Sequence, residues 1–323
     1  TPPFDTATGK PLRASARSFS NVFGDTLLEL ARQDPRICAI TAAMTSGTGL
    51  TEFSKELPDR FFDVGIAEGH AVAMAGGMAK QGLIPVFAVY SSFLQRGFDM
   101  LIHDISLDKL HAVFCVDRAG LVGADGQTHH GCFDPAYLTQ IPGMTVLCPA
   151  SFAELQDMLR HAICQVSGPV AIRYPRGGER DYTAASDPAR CYITLQDGAD
   201  FTILSYGILI NEALKAAELL AEKGISVRVI KLNRIAPLSE ADVASMLSGT
   251  RRLLVLEDCI AAGCVGEKVT CLAALAGVHL DKLVLKNCGD RLPNEGSVEE
   301  LDHALGLDAA SVATSIEEVL HEQ

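Results

Sequence analysis

Residues 60–90, RFFDVGIAEGHAVAMAGGMAKQGLIPVFAVY, decide the fold. The apolar start reads as a short strand over 60–64, the glycine-bearing turn leads into a helical pattern over 67–81, and the run at 84–91 reads as a second strand. Short apolar strands separated by helices of about 15 residues argue for a parallel sheet covered on both faces.

The same rhythm extends in both directions. Further strands are predicted at 37–42, 111–117, 144–149 and 170–174, and further helices at 22–33, 94–107 and 152–165. Gly, Pro, Asp and Ser interrupt the alternation after residue 177, and it resumes with strands at 201–206, 226–232, 252–256 and 282–286. Helices are expected at 211–223, 240–247 and 266–276, with two more at the end. The prediction is therefore an α/β chain of two doubly wound domains, 17–177 and a smaller 199–323, with linkers at 1–17 and 178–198.

A chain of 323 residues, 48% hydrophobic, suits two domains of ordinary size. A net charge of −13 argues against a nucleic-acid partner, so any anion must meet a local basic pocket. No stretch approaches the roughly 20 apolar residues of a membrane span, and no signal peptide is recognisable. The ten cysteines include no CxxC pair, and Cys38, Cys115 and Cys148 lie in apolar strands, as buried thiols of a reducing, cytoplasmic compartment would. The start at Thr1, without Met, suggests a processed or truncated product.

Four places carry candidate chemistry. Glu68 stands in the first turn of a helix, where the helix dipole alone would favour a carboxylate. The small residues after it (Ala71, Ala73, Ala75, Gly76, Gly77) would let that helix pack closely on another backbone, including that of a second copy. Tyr90, Phe93 and Arg96 follow a strand end, where open α/β sheets place their sites, although each taken singly reads better as core or surface. Residues 117–131 bring Arg118, Asp125, His129 and His130 onto a loop relaxed by Gly120, Gly123, Gly126 and Gly131. Such a loop suits a small anionic substrate, with His129 a candidate proton donor or acceptor. The segment 173–178 ends the last strand of the first domain, and an arginine fork there suits bidentate phosphate recognition, or is a linker arginine paired with an acid.

Taken together, GIAEGH (65–70), VYSSFLQRGFD (89–99), VDRAGLVGADGQTHHGCFD (116–134) and IRYPRG (172–177) resemble the C-terminal half of the 1-deoxy-D-xylulose-5-phosphate synthase family, within the transketolase superfamily. Residues 3–9, the 43–49 loop, Glu257-Asp258 and residues 305–310 extend the resemblance through nearly the whole chain. It implies a thiamine-diphosphate pyrimidine-binding domain followed by a transketolase C-terminal domain. It implies that Glu68 hydrogen-bonds the aminopyrimidine of the cofactor, that Phe93 stacks on that ring and that Tyr90 borders it. It assigns Tyr90, Arg96, Arg118, Asp125, His129 and Arg176 to the substrate, with Arg118 and Arg176 on a phosphate and Glu68 and His129 as catalytic groups. The implied partners are pyruvate, glyceraldehyde 3-phosphate, the N-terminal half of the synthase and a second copy of the chain, in the supply of isoprenoid, thiamine and pyridoxal precursors.

One position departs from the pattern: Gly69 stands where the family usually has Gln. The family holds Mg²⁺ and the cofactor diphosphate on a Gly-Asp-Gly…Asn motif in a separate domain. Gly24-Asp25, Asp125-Gly126 and Gly289-Asp290 all lack that context, so no metal ligand is expected here and the chain alone is expected to be inactive. Two alternatives stay open: a subunit of a split transketolase or of a 2-oxoacid dehydrogenase, and an inactive dimerisation fragment.

Overall fold

The computed structural model describes residues 16–321 together with Asp5, Thr6 and Thr8. Most of the 1–17 linker and of the 3–9 resemblance lies outside the described residues. The strands in chain order are β1 (Ile37–Thr41), β2 (Phe61–Asp63), β3 (Ile84–Tyr90), β4 (Val113–Asp117), β5 (Thr145–Leu147) and β6 (Val170–Arg173). They continue as β7 (Tyr192–Gln196), β8 (Phe201–Tyr206), β9 (Val227–Leu232), β10 (Arg234–Ala236), β11 (Arg252–Leu256) and β12 (Lys282–Lys286).

Two mostly parallel sheets result, ordered β10-β5-β6-β4-β3-β1-β2 and β12-β11-β8-β9-β7. The antiparallel members are the edge strands β10 and β7. β1, β3 and β4 are buried nearly throughout, as strands covered on both faces must be. No helix among the described residues is long and apolar enough to cross a membrane.

Parallel register decides where the chemistry lies. Tyr90 of β3 pairs with Asp117 of β4, and Val116 pairs with Arg173 of β6. The loops carrying the quoted motifs therefore leave the sheet at one edge, outside the carboxyl ends of the strands. The helix Phe19–Gln33 arrives at that edge with a capping box: Asn21 N–H donates to Ser18 Oγ and Ser18 N–H donates to Asn21 Oδ1. Gly24 within it abuts the Gly49 carbonyl so closely that a Cβ would collide, which gives this glycine a packing role rather than a phosphate-binding one.

Three expectations change. The 94–107 stretch is not one helix but a series of short turns, Ser91–Leu94, Gln95–Gly97, Phe98–Met100 and a π-helical Leu101–Ser106. Gly97 lies against Val72, and Gly76 lies against the Asp104 carbonyl. The small-residue helix Glu68–Lys80 thus meets a close backbone from its own chain. Second, β7 lies inside the predicted 178–198 linker and pairs with β9. Third, the predicted division in two is bridged, because β10 belongs to the first sheet through β5. Beside that bridge Lys231 Nζ meets Glu154 Oε2 at 2.9 Å with both side chains fully buried. Tyr182 Oη and Ala150 N–H donate to the same carboxylate, so this buried charge is fully engaged.

Candidate active site

Glu68 opens the helix Glu68–Lys80 and is 2% exposed. Arg96 Nη1 donates to its Oε1 at 2.6 Å, and the Arg96 guanidinium carbon lies 5.1 Å from the centre of the Phe93 ring. The structure thus brings Arg96 to Glu68 and Phe93, whereas Arg118 and Arg176 both meet Asp125. Gly69 leaves room that Met100 takes: a Cβ there would lie 2.9 Å from Met100 Cε. The missing Gln side chain is replaced by the flexible end of a thioether, and Glu68 keeps its place.

Phe93 stacks on Tyr90 with ring centres 5.6 Å apart and meets His129 edge-on at 5.2 Å. The other face of Tyr90 carries Arg118, whose guanidinium carbon is 3.7 Å from the ring centre. Burial pushes the Tyr90 hydroxyl above the usual phenol range, partly offset by Arg118. Gly47 is required opposite this hydroxyl, because a Cβ would collide with it.

Arg118 has φ +60°, unusual for a residue with a side chain, so the surrounding contacts must hold it there. Its Nη1 donates to the Gly47 carbonyl at 3.1 Å, and its Nε lies 3.5 Å from Asp125 Oδ2. Arg176 Nε meets the same Asp125 oxygen at 3.1 Å, and its Nη1 donates to the Val122 carbonyl. One carboxylate therefore holds two guanidinium groups together. Both arginines line a cavity of about 580 Å³ that also includes Ser18, Ser20, Ser46 and Val298.

The loop is clipped at its base by two 2.7 Å hydrogen bonds, Gly120 N–H to Gly131 O and Gly131 N–H to Gly120 O. Gly120 has φ +76°, and Gly131 lies between Ser91 and the Arg118 carbonyl with no room for a Cβ. The two histidines separate in role. His130 is buried: its Nδ1 accepts from Val122 N–H at 3.2 Å and its Nε2 lies 3.0 Å from the Asn294 carbonyl, so both ring nitrogens are engaged in holding the loop. His129 faces Tyr90 and Phe93, with Nδ1 2.9 Å from Thr128 Oγ1.

Asp117 was legible only as a polar residue at a strand end. It is fully buried; Ser20 Oγ donates to its Oδ2 at 2.7 Å, and Arg118 Nη1 lies 3.3 Å from Oδ1. Burial pushes its carboxyl up to about 6, partly offset by Arg118. From about pH 4 to 6 the folded chain retains a proton that the unfolded chain has lost. Asp117 therefore lowers stability as pH rises through that window, and its penalty stands in full above it. Asp117→Asn should gain on wild type by about 1.4 kcal/mol per pH unit across the window. Urea unfolding of both proteins at pH 4 and pH 7 measures this, and a difference independent of pH would refute it.

Arg173 stands apart from Arg176. It is 2% exposed inside the fold; its Nε meets Asp134 Oδ2 at 2.7 Å and its Nη1 meets Asp258 Oδ1 at 3.0 Å. As a β6 residue it points beneath the loop, whereas Arg176 lies past the strand end. Sequence reasoning also missed Ser20, Gly47, Met100 and Asp134, which hold or shape the candidate residues from distant positions.

Residues 15–180 match the family model described as "Transketolase, pyrimidine binding domain", and residues 192–312 match "Transketolase, C-terminal domain". The chain is 46% identical over 309 residues to the 1-deoxy-D-xylulose-5-phosphate synthase of Halalkalibacterium halodurans, covering 94% of this chain and 49% of that protein. It is 43% identical to 1-deoxy-D-xylulose-5-phosphate synthase 1 of Geobacter sulfurreducens, covering 98% and 51%. The chain thus spans about half the length of these curated relatives. A solved structure titled "Split gene transketolase, inactive beta4 tetramer" superposes with a TM-score of 0.83 at 26% identity, covering 95% of this chain and 99% of that one.

Proposed function

The chain belongs to the transketolase family, and we propose that it supplies the pyrimidine and acceptor side of a 1-deoxy-D-xylulose-5-phosphate synthase site. The reaction joins pyruvate to glyceraldehyde 3-phosphate with release of CO₂. The observation that carries this reading is one continuous line of contacts, from Glu68 through Arg96, Phe93 and Tyr90 to Arg118, Asp125 and Arg176. A buried carboxylate beside an aromatic face fits the aminopyrimidine of thiamine diphosphate, and the paired arginines fit a phosphate.

Among the described residues no group of three or more His, Cys, Asp or Glu side chains is placed to hold a metal ion. Glu68 and Phe93 fit the pyrimidine end of the cofactor. We infer that Mg²⁺ and the diphosphate are held by the other half of the synthase, and that turnover needs both halves.

When bound, thiamine diphosphate supplies the electron sink for the pair left as pyruvate loses CO₂. Glu68 would meet the pyrimidine ring of the bound cofactor and hold a proton there, and Arg96 keeps its carboxylate oriented. Asp125 holds Arg118 and Arg176 convergent until the phosphate of the aldehyde substrate takes over their charge. Phe93 presents its ring to the pyrimidine, while Tyr90 and Gly47 keep the Arg118 guanidinium in place. His129 delivers a proton to the aldehyde oxygen as the carbon–carbon bond forms.

The split-gene transketolase likeness favours one second reading, a transketolase subunit that takes ketose donors. A competition assay decides between them. The complete enzyme is offered pyruvate or a ketose phosphate as donor, and glyceraldehyde 3-phosphate or a lipoyl group as acceptor. Product from pyruvate and glyceraldehyde 3-phosphate alone supports the synthase; turnover of a ketose donor, or transfer to lipoyl, overturns it.

A further inference from the structure

We propose that the second domain has a direct part in acceptor recognition, with Asp258 as a positioning residue beneath the substrate loop and Val298 as part of the phosphate-binding wall. The proposal rests on the synthase reading above.

Asp258 follows β11 and is 5% exposed. Its Oδ1 accepts from Arg173 Nη1 at 3.0 Å, and its Oδ2 lies directly under Gly120, where a Cβ would collide with it. Gly120 is one of the two residues that clip the loop closed. Arg173 in turn grips Asp134, and Asp134 Oδ1 accepts from Ser91 Oγ, the residue after Tyr90. One guanidinium thus links the end of β3, the end of β6 and the base of the loop to a carboxylate from the second domain. Asparagine at 258 keeps the shape of the side chain but removes its charge, so Asp134 becomes the one carboxylate that meets Arg173 and the tie between the second domain and the base of the loop weakens.

The outer side of the loop is held by the same domain. The Asn294 carbonyl accepts from His130, and Ile260 N–H donates to the Cys132 carbonyl at 3.0 Å. Val298 lies against Gly123, where a Cβ would be 3.4 Å from its Cγ2, and it lines the cavity that holds Arg118 and Arg176. Because the second domain grips the loop on both sides, displacing it moves Asp125, and Asp125 sets the spacing of the two arginines.

The test uses the complete enzyme with Asp258→Asn and, separately, Val298→Asp. Val298 is the first residue of its helix, so an acid there is compatible with folding and keeps the test available if Asp258→Asn is unstable. Each variant should raise KM for glyceraldehyde 3-phosphate about tenfold, while KM for pyruvate and for unphosphorylated glyceraldehyde moves less than about twofold. Acceptor KM within about twofold of wild type, or equal rises in all three constants, would overturn the proposal. Failure of the wild-type enzyme to join pyruvate to glyceraldehyde 3-phosphate would instead refute the synthase reading itself.

Discussion

Glu68→Gln in the complete enzyme should lower kcat by roughly three orders of magnitude while the protein remains folded. Glutamine keeps the length of the side chain and still accepts a hydrogen bond from Arg96 Nη1. It cannot carry a proton to or from the pyrimidine, so the loss isolates that step. Stability is little affected because Arg96 is more than half exposed and does not become a buried unpaired charge. Steady-state kcat and thermal unfolding measured together decide the matter. A kcat within about tenfold of wild type would remove Glu68 from the chemistry.

The second large effect falls on the acceptor. Arg118→Ala should raise KM for glyceraldehyde 3-phosphate about 100-fold, equivalent to about 2.7 kcal/mol. The loss combines the charge facing the phosphate with the guanidinium layer on Tyr90. Arg118→Lys should recover little, since an ammonium offers neither the planar stack nor the fork that reaches Asp125 and the Gly47 carbonyl together. Initial rates at saturating pyruvate, with and without the phosphate on the acceptor, measure the effect. Equal losses with both acceptors would show that Arg118 serves something other than the phosphate.

The sheet order follows from features local to the sequence. Apolar strands such as 84–90 and 113–117 are buried on both faces and announce themselves by composition alone. β7 escapes because it is a half-exposed edge strand, so its sequence carries no comparable apolar run. β10 escapes because three residues give no periodicity, and its partner β5 lies in the other half of the chain.

At the site, residue types were readable but partnerships were not. Adjacent His129 and His130 look equivalent until the turn over Gln127–His129 points one toward Phe93 and buries the other. Arg173 and Arg176 lie three positions apart, yet β6 buries the first and leaves the second past the strand end. The Ser20–Asp117 hydrogen bond spans 97 positions, and Arg173–Asp258 spans 85, distances at which spacing has no predictive content. Gly69 reads as a loss until Met100 is seen to fill its space.

On the proposed function, this chain holds the pyrimidine side of a thiamine-diphosphate site and depends on another half for the diphosphate. Isothermal titration with thiamine diphosphate and Mg²⁺ tests it most directly, using the chain alone and the chain combined with an N-terminal half from a synthase relative. Stoichiometric uptake by the combined protein, weak or absent uptake by the chain alone, and weakened uptake in the combined Phe93→Ala variant are the expected results. Equal affinity in the chain alone and the combined protein, or in wild type and Phe93→Ala, would contradict it.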